Sequence, residues 1–482
     1  MRCAARNTRR PVPARLWSIM GSMRRALVAV LLFTLAAAGC SSGGGSDQPS
    51  SAAPGSSKAS SPSAGVAPSR FENWPTYHRT PSRSGRGAST VSVPLAGVWS
   101  KPLRGAVYGE PLVVDGLLIV ATESDDVYGI DPATGQVRWR TNFGTPMPLS
   151  ELPCGNIDPL GITSTPAYDS QTGSVFVVAE TTGAHHTLWA IDPSTGDKQW
   201  HRSLDTQPDR DRFAEQQRSA LLVTHGRVIT TFGGLAGDCG NYVGYVTSAP
   251  VDGQGAIHSY AVPTPREGGM WSPAGPVAGP NGHVYVSAGN GAQASGAWDM
   301  SDSVTELTPV SLRRVSAFAP STWRQDNAAD LDLGSSSPVT VSDRIVIAGK
   351  RGTVYLLRPQ LGGVGSAIRQ LDGCTAFGGA ARADAHTVLM PCLGENAIKQ
   401  LRVGRQQLSF GWTASDMYAS PIVAGSFVLV ADSNTGDLVV LRLSNGSEVQ
   451  RIHAGPLTHF PSVTVSGGMV FVPTLNGVTA FR

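Results

Sequence analysis

The sequence predicts an all-β fold, an eight-bladed β-propeller of four-stranded antiparallel blades closed by an N-terminal strand. Three observations over residues 71–482 predict it: a turn motif that recurs in register, a proline that recurs at strand starts, and a near absence of helical periodicity.

The segments Gly129-Ile-Asp-Pro-Ala-Thr-Gly-Gln-Val-Arg-Trp139 and Ala190-Ile-Asp-Pro-Ser-Thr-Gly-Asp-Lys-Gln-Trp200 align without gaps, 61 residues apart. Each sets Asp-Pro-x-Thr-Gly between alternating apolar residues, the pattern of a hairpin whose glycine supplies a positive φ. A second element, a residue followed by proline and an alternating strand, recurs at Glu110-Pro111, Thr165-Pro166, Ser272-Pro273, Ser337-Pro338, Ser420-Pro421 and Phe460-Pro461. Proline suits the first residue of a strand, where its missing N–H costs no ladder bond. Read from these starts, the chain divides into eight units beginning near 107, 161, 219, 270, 334, 375, 417 and 459. Units of about 40–50 residues with four strands each are propeller blades. The last unit lacks one strand, and Ala96–Leu103 can supply it, closing the ring and removing exposed edges. A pair of β-sandwiches would not explain eight units in one register. A ring this long is possible because each blade packs only on its neighbours.

Three segments are expected in all: 1–39 as an export signal, 40–70 as a tether and 71–482 as the propeller. Arg24-Arg25, the apolar run Ala26–Leu35 and the small residues Ala36-Ala37-Ala38-Gly39 before Cys40 follow the order of an export signal. The apolar run is short of the roughly 20 residues that span a bilayer. The segment resembles a bacterial lipobox, which implies a diacylglycerol on Cys40; Ala37 stands where leucine is more usual. Met20 and Met23 are alternative starts to Met1. Residues 41–69 are nearly all Ser, Gly, Ala and Pro, too poor in apolar side chains to bury a core, and read as a flexible stalk. The expected address is therefore the extracytoplasmic face of a cell membrane, held by the lipid.

The chain carries 38 Lys+Arg against 35 Asp+Glu, but seven of the arginines lie in residues 1–39, leaving 31 against 35 beyond them. With a net of −4 and no basic stripe interleaved with aromatics, nucleic-acid binding is not expected. Beyond Cys3 and Cys40 four cysteines remain, Cys154, Cys239, Cys374 and Cys392. Four cysteines allow three pairings. Cys154–Cys239 with Cys374–Cys392 is preferred, because the latter two fall in one short stretch that reads as adjacent strands. A zinc site is the rival, unsupported by any CxxC or histidine cluster.

The Ala/Gly-x-Asp-x-x-x-Gly-x-x-x-Trp pattern resembles the docking motif of pyrroloquinoline-quinone-type eight-bladed propellers. The stretch Asn73-Trp-Pro-Thr-Tyr-His78, with Pro81-Ser-Arg-Ser-Gly85, is similar to that family's N-terminal cap. The resemblance implies that Trp139 and Trp200 pack between blades while Asp131, Gly135, Asp192 and Gly196 fix the turns. It also implies two functional classes. One is a quinone-dependent dehydrogenase of an alcohol or sugar, with the quinone over the channel beside calcium. Candidate calcium ligands are Asp299, Asp302, Glu306, Asp326, Asp330 and Asp332, although acids in surface loops are usually solvated and no DxDxDG spacing or Cys-Cys pair occurs. Only two units keep the full docking motif. The other class is a non-enzymatic scaffold similar to the lipoprotein propeller of barrel assembly, and this is the expected function: a monomer that binds an envelope protein or peptide, without catalytic residue, metal or cofactor. Binding is expected at the channel mouth, where residues before the strand-start prolines converge: Tyr108, Glu110, Thr165, Arg218, Trp271, Ser337, Phe377, Tyr418 and His459. Aromatic and arginine side chains are frequent anchors; the alternative is that they plug the channel. His185-His186 reads as an exposed turn.

Overall fold

A computed structural model describes residues 71–482, so Cys40, the export signal and the tether lie outside the described residues. The described chain forms eight sheets, each with four or five strands, paired antiparallel except for one short strand. Blade 1 is built from Leu112–Val114, Leu117–Ala121, Asp126–Ile130 and Val137–Asn142. Blades 2 to 7 follow in order, with inner strands starting at Ala167, Leu222, Val277, Val339, Ala381 and Ile422. Blade 8 pairs Thr464–Ser466, Met469–Thr474 and Gly477–Phe481, and takes Gly97–Pro102 as its outer strand. The ring closes as the sequence predicts.

The burial pattern explains the apolar runs. The middle strands of blade 1 are buried nearly throughout, because a neighbouring blade covers each face. Its outer strand alternates, turning Arg138, Arg140 and Asn142 to solvent, and a charged edge discourages pairing with another chain. Apolar side chains fill the space between consecutive blades: Phe176, Leu188 and Phe232 between blades 2 and 3, Val346, Val354 and Met390 between blades 5 and 6, and one continuous core through blades 7, 8, 1 and 2. The inner strands of blades 8 and 1 touch, joining first and last units.

Tryptophans staple successive blades. Trp139 of blade 1 donates from Nε1 to the carbonyl of Pro193 in blade 2 at 3.0 Å, its ring lying over Gly196. Trp200 lies likewise over Gly253 in blade 3. Asp131 accepts from the backbone N–H of Ala133 and Thr134, and Asp192 from that of Ser194. Two further tryptophans that lack the full motif do the same. Trp99 lies over Gly135 and donates to Pro132, and Trp412 lies over Gly446 and donates to Leu443, each at 3.0 Å. Four blade junctions, not two, are stapled.

Two disulfides are formed, Cys154–Cys239 and Cys374–Cys392. The first ties the long connection between blades 1 and 2 to a loop of blade 3. His185 and His186 are not in a turn but begin the strand His185–Ile191, and His186 is fully buried. Its Nε2 lies 3.2 Å from Glu180 Oε2 and its Nδ1 3.3 Å from Asp205 Oδ1. Glu180 is its cross-strand partner, which adjacency along the chain could not show. Burial opposes a charge on His186, but the Glu180 and Asp205 carboxylates outweigh it and hold its pKa at about 10.

Candidate functional site at the channel mouth

The inner strands set the site, because residues just ahead of each reach the axis together. Blades on opposite sides of the ring touch there. Trp271, ahead of blade 4, lies 6.4 Å from Phe377 of blade 6 and 6.2 Å from Phe460 of blade 8. Phe460 is the hub. It stacks on Phe377 at 5.7 Å, meets Tyr418 at 5.8 Å and His459 at 6.2 Å, and lies under the Arg218 guanidinium at 5.2 Å. Arg218 also covers Tyr108 at 5.8 Å and donates from Nη2 to the His459 carbonyl at 3.2 Å. Six of the nine expected mouth residues therefore share one aromatic and cationic cluster: Tyr108, Arg218, Trp271, Phe377, Tyr418 and His459.

The other three, Glu110, Thr165 and Ser337, are buried beneath it. Thr165 Oγ1 accepts from the Glu110 backbone N–H at 2.8 Å, and Ser337 donates to the Gly275 carbonyl at 2.7 Å. Glu110 accepts from Trp74 Nε1 and from the His78 backbone N–H. Burial nevertheless pushes it up to about 8, so it is mostly uncharged at neutral pH.

Trp74 and His78 belong to a cap, residues 71–87, that fills the channel below. The cap hydrogen-bonds to blade after blade: Trp74 with Val113, Pro75 with Tyr168, Thr76 with Leu221, Pro81 with Ala278, Ser84 with Arg382, Gly87 with Val423 and Glu72 with Ser466. Arg83, 1% exposed, spans two blades by donating to the carbonyls of Leu221 at 3.0 Å and Pro276 at 3.1 Å. Such a buried cation is tolerated because carbonyls and a hydroxyl satisfy its N–H groups. Between Tyr77 of the cap and Phe460 of the mouth a space of about 10 Å³ remains, at the threshold for one water.

Phe460 directly precedes the strand-start Pro461, so the convergence rule covers it although His459 stood in its place among the expected mouth residues; its backbone is left-handed, φ 58°. Cap residues Tyr77 and Arg83 were legible only as part of the cap motif.

Except for Asp330, which is exposed, the acids named as candidate calcium ligands are not solvated. Asp299, Asp302, Glu306, Asp326 and Asp332 are buried. Most are already committed to partners, Asp326 to Arg351, Asp330 and Asp332 to Lys350, and Glu306 to His283 and Asn281. Asp302 accepts from the Leu333 N–H and Asp299 from Ser301. A hard cation needs six or more oxygens converging. Among the described residues no group of three or more His, Cys, Asp or Glu could hold a metal. The donor set does not fit a calcium–quinone centre, and the space under Phe460 does not fit a quinone.

Residues 96–313 match the family model described as outer membrane protein assembly factor BamB. Among solved structures, the chain is similar to a quinohemoprotein alcohol dehydrogenase from Pseudomonas putida, at 16% identity over 85% of this chain and 80% of that one, TM-score 0.65. It is also similar to the quinohemoprotein alcohol dehydrogenase of Comamonas testosteroni, at 17% identity over 85% and 80%, TM-score 0.63. BamB from Moraxella catarrhalis superposes over 80% of this chain and 99% of that one, at 16% identity and TM-score 0.56. No curated protein matches. The resemblance to quinone-type eight-bladed propellers is borne out, and at these identities it is a likeness of fold.

Proposed function

We propose that this chain is a lipid-anchored scaffold of the cell envelope that binds a protein or peptide at its channel mouth. The observation that carries the proposal is the Phe460 hub. It closes the channel over a cap, and so turns the mouth into a surface of aromatic and arginine side chains with almost no cavity beneath. Such side chains are common binding anchors because they offer large contact area at little entropic cost. The matched family model is named for an assembly factor, which accords with a role in holding another protein. The order of charged, apolar and small residues that ends at Cys40 supports an address at the extracytoplasmic face of a membrane, held by a lipid on that cysteine. It acts as a monomer and uses neither metal nor cofactor.

The competing reading is a quinone-dependent dehydrogenase, favoured by fold similarity. Its test is to incubate the full-length protein with pyrroloquinoline quinone and calcium and follow dye-linked oxidation of alcohols and sugars. The expected result is neither tight quinone binding nor turnover; clear turnover would overturn the scaffold proposal.

A further inference from the structure

A groove of about 850 Å³ opens between the ring-closing strand and the connection from blade 1 to blade 2, within the size range of ligand sites. Leu103, Ile157, Pro159 and Leu475 supply apolar walls, and Tyr108 and Glu123 line its inner end. The disulfide Cys154–Cys239 anchors the segment that carries Ile157 and Pro159.

Glu123 is 1% exposed. Its Oε2 accepts from the Gly161 N–H at 2.7 Å and from Thr163 Oγ1 at 3.2 Å, whereas Oε1 has no partner. Asp125, two residues on and fully buried, has no partner at either carboxylate oxygen. Among the described residues neither acid joins a salt bridge. The charged and titratable groups that act on Glu123 are Asp125, Glu180, Arg218 and Tyr108, so acids outnumber the one cation. A buried carboxylate oxygen left unpaired is costly, and a charge-assisted donor relieves that cost. A guanidinium or ammonium group supplies such a donor through its N–H groups.

We propose that this groove takes a guanidinium or ammonium side chain of an extended peptide, with its charge on Glu123 and its aliphatic stem along Leu103, Ile157 and Leu475. The proposal rests on the reading of the mouth as a peptide-binding surface: Tyr108 lines both the groove and the mouth pocket, so one bound segment can cover both. Burial pushes Glu123 up to about 8, so binding of the cation releases a proton and tightens as pH rises.

The test is calorimetric titration of the full-length protein with acetyl-arginine-amide and its neutral isostere acetyl-citrulline-amide at pH 6 and pH 8. The expected result is about tenfold preference for the arginine probe at pH 8, weaker at pH 6 and absent in Glu123→Gln. Leu475→Trp, which narrows the groove without touching the acid, should weaken the arginine probe whether or not Glu123→Gln folds. Equal affinity for the two probes, no binding of either, or a preference that survives in folded Glu123→Gln would overturn the proposal. The mouth reading fails separately. If Phe460→Ala abolishes partner capture in cells while the arginine probe does not bind, the scaffold stands and the groove falls. If the probe binds and nothing is captured at the mouth, the reverse holds.

Discussion

Replacing Phe460 with alanine should open the channel mouth, and the structure sets the size of the effect. The ring contacts Trp271, Phe377, Tyr418 and His459 between 5.7 and 6.2 Å, and Arg218 at 5.2 Å. Aromatic pairs contribute about 0.5–1.5 kcal/mol each and a part-exposed cation–π contact about 0.5–1 kcal/mol. Because all share one ring, they do not add. A cost of about 2–3 kcal/mol follows, below the roughly 3–5 kcal/mol of a fully buried Phe→Ala change. The backbone supplies an internal control. At φ 58° a side chain is strained by about 1 kcal/mol, so Phe460→Gly should be more stable than Phe460→Ala by about that amount. Urea unfolding followed by tryptophan fluorescence measures both, with Trp271 adjacent as a local reporter. A loss under about 0.5 kcal/mol for alanine would refute the hub, and a glycine variant no better than alanine would refute the left-handed placement.

Other consequences are equally direct. Gly196→Ala would set a Cβ 2.4 Å from the Trp139 ring at φ +80°, whereas Gly173→Ala, at φ +69°, meets nothing. The first should cost about 2–4 kcal/mol and the second about 1 kcal/mol, and equal denaturation midpoints would count against blade stapling. Stability should also fall from pH 5 to pH 9. Burial lifts Glu110 and Glu123 to about 8, Asp125 to about 9 and Glu215 to about 7, against roughly 4 for unfolded carboxyls, so the folded state binds more protons across that window. His186, held at about 10, acts in the same direction: its contribution is full below about 6.5 and is lost as pH rises through 10. Every one of these groups destabilises the fold in the same direction as pH rises, and a melting temperature that is flat or higher at pH 9 would contradict it. Cys40→Ala should abolish lipid labelling and release the protein from membranes; unchanged membrane retention would refute the anchor.

Much of the ring was legible because it is written in local chemistry. A proline that cannot donate sits just ahead of strands such as Leu112–Val114 and Ile422–Ala424, and Asp-Pro-x-Thr-Gly turns carry their own side-chain acceptor. Trp99 and Trp412 were missed as staples because their own segments lack the motif: Leu95 and Leu408 stand where Gly135 and Gly196 precede Trp139 and Trp200. His186 misled for a related reason: Glu180 and Asp205 reach it across strands. The mouth was located by the rule that residues ahead of strand starts converge. That rule could not separate residues at the surface from Glu110, Thr165 and Ser337 one layer down. The buried acids of blade 4 read as loop residues because Lys350 and Arg351, which neutralise them, come from blade 5.

The central claim is that the mouth is the surface that engages a partner. A photo-crosslinking residue placed in turn at Phe377, in the mouth, and at Val315, 40% exposed on an outer strand, tests it in cells. The account predicts one dominant envelope-protein adduct from position 377, lost when Phe460→Ala is added, and none from position 315. Equal adducts from both positions, or none from the mouth, would contradict it.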